Sequence, residues 1–107
     1  MPEQSPPTFT DDGFLCDNQL WTADLATKIA TNLEITLTDE HWRVIHGVRR
    51  FYERTGRSLS MRPLVRVVRN EVAATLGNSI ALARLFGSQT TRHVAMISGL
   101  PKPSDCI

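Results

Sequence analysis

Four glycines divide the chain from residue 38 onward into short segments, and each segment carries apolar residues at helical spacing. The glycines are Gly56, Gly77, Gly87 and Gly99. An apolar residue at every third or fourth position predicts one buried stripe along a helix, and a glycine directly after the stripe is typical of a helix end. The pattern therefore predicts short helices packed into one small bundle.

Capping residues place the beginnings of these helices. Thr22 and Thr38 can each accept a hydrogen bond from the first turn of a helix. Ser60 opens a further helix, in which Pro63 is tolerated because it falls in the first turn. The predicted helices span residues 22–32, 38–56, 60–76, 80–86 and 88–98.

The N-terminal part has a different pattern. Residues 1–8 contain three of the six prolines and are predicted to be a disordered tail. Asp12 and Gly13 lie between short apolar pieces, which predicts a small β-hairpin within residues 9–15.

The C-terminal end is predicted to be an arm. Pro101 and Pro103 prevent a helix from continuing past Gly99 and favour an extended, stiff segment. We therefore expect a mainly α fold with a flexible C-terminal arm. It comprises a helix-turn-helix-like bundle over residues 9–99, which begins with the hairpin, and a mobile arm over residues 100–107.

Composition excludes several classes of function. The 107 residues carry a formal net charge of +1, which gives no overall attraction to nucleic acid or membranes, and no apolar run approaches the ~20 residues that span a bilayer. The polar, proline-rich N-terminus is unlike a secretion signal, so we expect a cytoplasmic protein.

Two cysteines are too few for a disulfide scaffold or a structural zinc site. Without a glycine-rich phosphate loop, a carboxylate pair or metal-ligand spacing, the sequence predicts no cofactor and no self-contained enzyme.

Cys106 is the residue with the clearest chemical potential. It lies on the stiff arm, where it contributes little to packing and could enter a pocket of another protein. The thiolate is the reactive form of cysteine. Asp105 and the terminal carboxylate disfavour that second negative charge, and Lys102 offsets them only in part. A reactive Cys106 would therefore need a basic pocket on its partner. The alternative is a tail cysteine without a function.

The other cysteine, Cys16, has a simpler interpretation. It follows the predicted hairpin, where a small, half-buried apolar residue fits. A disulfide between Cys16 and Cys106 is the alternative, and in a reducing compartment that bond would be transient.

Arginines cluster in the middle of the chain, and the spacing of Arg62, Arg66 and Arg69 places them on one helix face. A solvated helix face is one interpretation, and a docking patch for an acidic protein or a nucleic-acid backbone is another. Two helices joined by a glycine-containing turn are also typical of helix-turn-helix DNA-binding proteins, although the net charge argues against strong non-specific DNA binding.

The histidines show no metal-ligand spacing, so we expect them to be surface or partly buried structural residues, and we expect both tryptophans in the core.

The C-terminal sequence resembles that of the DsrC/TusE family. The motif is Gly-Leu-Pro-Lys-Pro at residues 99–103, followed by Cys106 as the second-last residue. Further similarities are Asp-Gly-Phe-Leu at residues 12–15, Leu-Thr-Asp-Glu-His-Trp at 37–42 and Gly-Asn-Ser at 77–79. The resemblance covers residues 9–107. It implies a small helical fold with an N-terminal hairpin and a mobile arm, on which Cys106 takes sulfur as a persulfide and passes it on.

The resemblance also implies partners, which differ between the two branches of the family. The DsrC branch serves sulfite reductase and carries a second arm cysteine, at a position where this chain has Ala95. The TusE branch has only the penultimate cysteine. It takes sulfur from a TusBCD/DsrEFH-like donor complex and delivers it toward an MnmA-like tRNA 2-thiouridylase, for the wobble uridine. This sequence fits the TusE branch better; the alternative is a DsrC-like partner or regulator of a sulfite reductase or of a sulfur-oxidation system. Pro101, Lys102 and Pro103 would then shape the arm for docking, and Arg62, Arg66 and Arg69 are predicted to form the contact surface of the body.

Overall fold

The computed structural model describes residues 7–103, and within that range the chain forms five α-helices. They are α1 (Ala23–Asn32), α2 (Asp39–Thr55), α3 (Met61–Glu71), α4 (Ser79–Phe86) and α5 (Thr90–Ser98). Single 3₁₀ turns at Asn18–Leu20 and Ala74–Leu76 precede α1 and α4. None of these helices is long and apolar enough to cross a membrane.

The predicted capping residues begin their helices. The hydroxyl of Thr22 accepts a hydrogen bond from the Leu25 N–H at 3.1 Å, and Thr38 forms a capping box with His41. Gly56 adopts a left-handed conformation at the end of α2, with φ of 69°. These contacts satisfy backbone groups that have no partner inside the helix, which is why α1 and α2 begin, and α2 ends, where the sequence predicts.

The core is centred on α2. This helix packs against α3, α4 and α5, and α1 packs against α5. The largest fully buried side chains come from the turn at residues 9–15, which we call the N-terminal turn, from the helices and from the start of the predicted arm. They include Phe14, Ile45, Leu64, Leu82, Phe86, Ile97 and Leu100. The mainly helical fold predicted from the sequence is confirmed.

The predicted N-terminal β-hairpin is not supported. Phe9 and Leu15 form one isolated antiparallel bridge, and no strand is present within residues 7–103. The turn between them is closed by Thr10, whose hydroxyl accepts from the Phe14 N–H and whose own N–H donates to the Phe14 carbonyl. Since no third segment pairs with the turn, two such short strands have little to stabilise them.

The prediction that the third helix reaches Leu76 is also wrong. Helix α3 ends at Glu71, and Ala73 is extended. Arg69 donates two hydrogen bonds to the Gly77 carbonyl, at 3.2 and 3.0 Å, which holds the returning chain against α3. A Cβ at Gly77 would lie 2.5 Å from the Arg69 Cα, so this close approach requires glycine.

His41 is a buried hydrogen-bonding residue, not the surface or partly buried residue expected. Only 5% of it is exposed. Its Nδ1 accepts a hydrogen bond from the Thr38 N–H at 3.0 Å, so Nε2 carries the proton and donates to the Leu85 carbonyl at 2.6 Å. The ring therefore joins the beginning of α2 to the end of α4.

We expect His41→Ala to lower the free energy of unfolding by about 2–4 kcal/mol, because it leaves a cavity and removes the partners of two backbone groups. Urea denaturation measures this change. His46→Ala is the matched control, since His46 is an exposed histidine on the same helix, and it should cost less than about 1 kcal/mol. Equal losses from the two variants would contradict the structural role of His41.

Candidate functional site at the base of the C-terminal arm

Cys106 lies outside the described residues. The structure shows how the arm leaves the helical body, through residues 99–103, which we call the arm base. Five parts of the chain contact the arm base or the end of α5 directly before it: the N-terminal turn, the Asn18–Leu20 turn with Trp21, the middle of α2, the loop before α3, and α5 itself.

Trp21 contacts Gly99, the residue that directly follows α5. Its indole N–H donates to the Ile97 carbonyl at 2.8 Å. Gly99 ends α5 with φ of 72°, and a Cβ there would lie 2.6 Å from the Trp21 Cδ1 atom. Glycine at position 99 therefore meets two requirements, a left-handed backbone and close contact with an indole ring.

Arg49 completes this contact from α2. Its guanidinium donates to the Ser98 carbonyl at 2.8 Å, and its central carbon lies 4.1 Å from the centroid of a Trp21 ring. Burial lowers the pKa of Arg49, and Glu53 offsets part of that shift. The group remains cationic at neutral pH because arginine titrates far above it. A cation at the C-terminal end of α5 is also favoured by the helix dipole. We call Trp21 and Arg49 the brace.

The arm base is packed against the body. The Leu100 side chain is buried, and its N–H donates to the Ala95 carbonyl at 2.9 Å. The Ser58 hydroxyl donates to the Pro101 carbonyl at 2.7 Å, and Pro103 is fully buried. The predicted arm of residues 100–107 therefore begins with four residues held by the body. Its mobility stays a prediction.

Lys102 forms an ion pair with the N-terminal turn. Its ammonium lies 2.9 Å from a carboxylate oxygen of Asp12. Arg92 donates to the Asp12 carbonyl at 2.7 Å, which links the turn to α5. A hydrogen bond and the charge of Lys102 hold the pKa of the Asp12 carboxyl below its ordinary value. Both side chains are exposed, so the pair orients the arm more than it stabilises the fold.

The predicted basic surface lies on α3. Arg62 and Arg66 are exposed, and they line one open groove together with Arg69. Arg69 is fixed there by its bonds to Gly77. The role of the three arginines in partner binding stays a prediction.

Cys16 is exposed, so the expectation of a half-buried residue is wrong. Within residues 7–103, no three His, Cys, Asp or Glu side chains are placed to hold a metal ion.

Several residues of this site were not predicted from the sequence. Trp21 was interpreted as core, and Arg49 as one member of a basic cluster. Nothing in the local sequence indicates that Ser58 contacts the arm. The usable signals lay in the motifs that resemble the DsrC/TusE family, which include Asp12, Gly99 and Lys102.

Comparison with known proteins places this chain in a family. The model of the family described as DsrC like protein matches residues 3–107, and the chain belongs to that family. The sulfurtransferase TusE homolog of Haemophilus influenzae is 40% identical over 96 residues, which cover 90% of this chain and 88% of that protein.

Two solved structures have the same fold. DsrC of Allochromatium vinosum superposes with a TM-score of 0.84 at 29% identity, over 94% of this chain and 90% of that one. The oxidized gamma-subunit of the dissimilatory sulfite reductase (DsrC) from Archaeoglobus fulgidus superposes with a TM-score of 0.77 at 32% identity, over 94% and 92%. The expected family membership is confirmed.

Gly99→Ala should lower the free energy of unfolding by about 2–4 kcal/mol, since it adds backbone strain and a clash with Trp21. Gly56→Ala is a matched control, because Gly56 has a similar left-handed φ and no atom within 4 Å of its added Cβ. The control should cost about 1–2 kcal/mol. Urea denaturation, followed by tryptophan fluorescence, measures both. Equal costs would contradict the contact between Trp21 and the arm base.

Replacing Lys102 with Gln should raise the pKa of Asp12 toward its ordinary value, because the favourable hydrogen bond and charge are lost. NMR titration of the Asp12 carboxyl measures this shift. Lys28→Gln, at an exposed position on α1, should leave it unchanged. Because the native pKa of Asp12 is depressed, the ion pair is intact at neutral pH. It is lost as the pH falls through that depressed value. An unchanged titration in the Lys102 variant would contradict the ion pair.

Proposed function

We propose that this protein carries sulfur in a relay, with Cys106 as the residue that holds it. The observation that supports this most strongly is the match of residues 3–107 to the DsrC-like family, together with 40% identity to a protein named as a sulfurtransferase. Cys106 lies inside the matched range. The absence of a self-contained catalytic arrangement in the sequence is consistent with a carrier that meets its chemistry on partner proteins.

The proposed transfer uses the chemistry of thiol exchange. The Cys106 thiolate attacks the outer sulfur of a persulfide on the donor protein. A bond forms between the Cys106 Sγ and that sulfur as the donor's S–S bond breaks, and the donor leaves as a thiolate. Cys106 then holds the sulfur as a persulfide, which passes to the next thiolate by the same exchange. No external oxidant or reductant is required, since the transferred sulfur keeps its oxidation state.

The arm base supports such a transfer by fixing where the arm begins. The brace and Leu100 tie its root to α5, so a partner need not locate a freely moving chain. Pro101 and Lys102 are exposed and would face a docking partner directly. Pro103 is buried, so its predicted part in docking requires that it leave this position.

We place the relay on the route to tRNA. The proposed donor is a TusBCD/DsrEFH-like complex, and the proposed acceptor is an MnmA-like enzyme that thiolates the wobble uridine of tRNA. Asp105 lies directly before Cys106 and disfavours the thiolate, so a basic pocket on each partner would activate the cysteine at the moment of docking.

A second candidate is a role as a partner of sulfite reductase. The structural similarity to the gamma-subunit of the dissimilatory sulfite reductase favours it. However, the position of the second arm cysteine of the DsrC branch is occupied here by Ala95, eleven positions before Cys106. Ala95 is buried on α5, and its methyl group cannot form the disulfide. Any role with sulfite reductase would therefore use Cys106 alone.

Cys106→Ser should abolish 2-thiolation of the wobble uridine in cells that depend on this protein, because the hydroxyl cannot hold a sulfane sulfur. Mass spectrometry of digested tRNA measures the thiolated nucleoside. Cys16→Ser is the matched control. It removes the other cysteine, which is exposed, and should leave thiolation at the parent level.

Normal thiolation with the Cys106 variant, expressed at the parent level, would contradict the tRNA route. Co-purification then tests the second candidate, which requires a sulfite reductase to be recovered with the protein.

A further inference from the structure

The net charge is close to zero, but the acidic and the basic residues are concentrated in different parts of the chain. Eight of the eleven Asp and Glu residues lie within residues 1–42, whereas eleven of the twelve Lys and Arg residues lie within 43–107. A nucleic acid or a protein interacts with the charges of the surface that it contacts and not with the net charge of the whole chain. The net charge of +1 is therefore a poor guide to the charge of any one surface formed by residues 43–107.

The basic residues form a built surface on α3. Arg62, Arg66 and Arg69 occur at intervals of four and three residues, which places them in one row about 10 Å long on a helix that rises 1.5 Å per residue. They line an open groove of about 640 Å³ between α3 and the beginning of α4. Arg69 is held in place by the Gly77 carbonyl.

The acidic residues near this groove are few and already paired. Residues 61–70 contain no Asp or Glu. Glu71 follows, and Arg54 of α2 binds it through two hydrogen bonds at 2.9 and 3.0 Å. Among residues 7–103, neither Arg62 nor Arg66 has an ion-pair partner.

The rest of the lining favours phosphate over a protein surface. Asn70, Asn78 and Ser79 lie beside the arginines. Ser79 is the first residue of α4. Asn78 caps that helix, since its Oδ1 accepts from the Ala81 N–H at 2.8 Å and its Nδ2 donates to the Thr75 carbonyl at 3.3 Å, so Asn70 and Ser79 are the polar side chains offered to a ligand beside the arginines. Arginine, asparagine and serine side chains at a helix N-terminus are the groups that contact nucleic-acid phosphates. The apolar lining is limited to Met61 and Val65, and no aromatic anchor of the kind that dominates protein interfaces is present in the groove.

We propose that this groove binds the phosphodiester backbone of a structured RNA, of the tRNA class. The choice of tRNA rests on the proposed function, whereas the groove itself does not involve Cys106. The helical body of the protein would then bind the tRNA, which finally receives the sulfur, while the arm delivers the sulfur. Such contacts recognise the backbone and its shape, not a base sequence.

The test is fluorescence anisotropy of a labelled, unmodified tRNA transcript with the full chain, at several salt concentrations. Arg62→Gln/Arg66→Gln should weaken binding about 10- to 50-fold near 0.1 M salt and reduce the slope of log affinity against log salt by about 2. Lys28→Gln/Arg84→Gln is the matched control, since it removes two exposed charges outside the groove. It should change binding by less than about threefold. Circular dichroism checks that both variants are folded.

The proposal is overturned if tRNA does not bind, or if the two double variants lose the same affinity. It is also overturned if a DNA duplex of equal length or poly-glutamate binds as tightly as tRNA, because the surface would then be a DNA-binding or a general anion-binding one. Cys106→Ser should bind tRNA like the parent protein. If it binds normally but cannot carry sulfur, the groove is supported independently of the relay.

Discussion

The contact of Trp21 and Arg49 with the end of α5 is the constraint on which the candidate site depends. The indole N–H and the guanidinium satisfy two carbonyls in the last turn of that helix, those of Ile97 and Ser98. The arm base begins one residue later, at Gly99, where only glycine fits beside the ring. A segment from before α1, the middle of α2 and the end of α5 therefore meet at one point. The direction in which the arm leaves the body is set by tertiary packing and not by the arm sequence alone.

This arrangement separates two tasks that a sulfur carrier must combine. The proposed reactive thiol lies beyond Pro103, on a segment with an acidic residue beside it, whereas the basic groove on α3 belongs to the rigid body. A low intrinsic reactivity of the Cys106 thiol would limit its exchange with other thiols before it docks on a partner. A strong, shape-selective contact elsewhere on the molecule would then supply the affinity that the arm lacks. On this account the groove on the body determines which partner binds, and the cysteine on the arm carries out the sulfur exchange.

Sequence patterns predicted the helical fold well and the site only in part. Thr22, Thr38 and Gly56 mark helix ends through local hydrogen bonding and backbone conformation, and such signals can be read within a few residues. The early end of α3 could not be read this way, because it depends on Arg69 reaching Gly77 eight positions later. The brace joins positions that lie 76 and 49 residues apart, and no local pattern records such contacts. The predicted hairpin failed for the related reason that a turn motif does not ensure a partner strand.

Mass spectrometry of the protein isolated from cells without reductant tests the central claim most directly. Trypsin cuts after Arg92 and spares the Lys102–Pro103 bond, which leaves residues 93–107 as one peptide with Cys106 as its only cysteine. The account predicts that this peptide gains the mass of one sulfur atom and that reductant removes it, while the peptide containing Cys16 stays a bare thiol. A bare thiol at Cys106, with an active persulfide donor and its relay partners supplied, would contradict sulfur transfer by this protein.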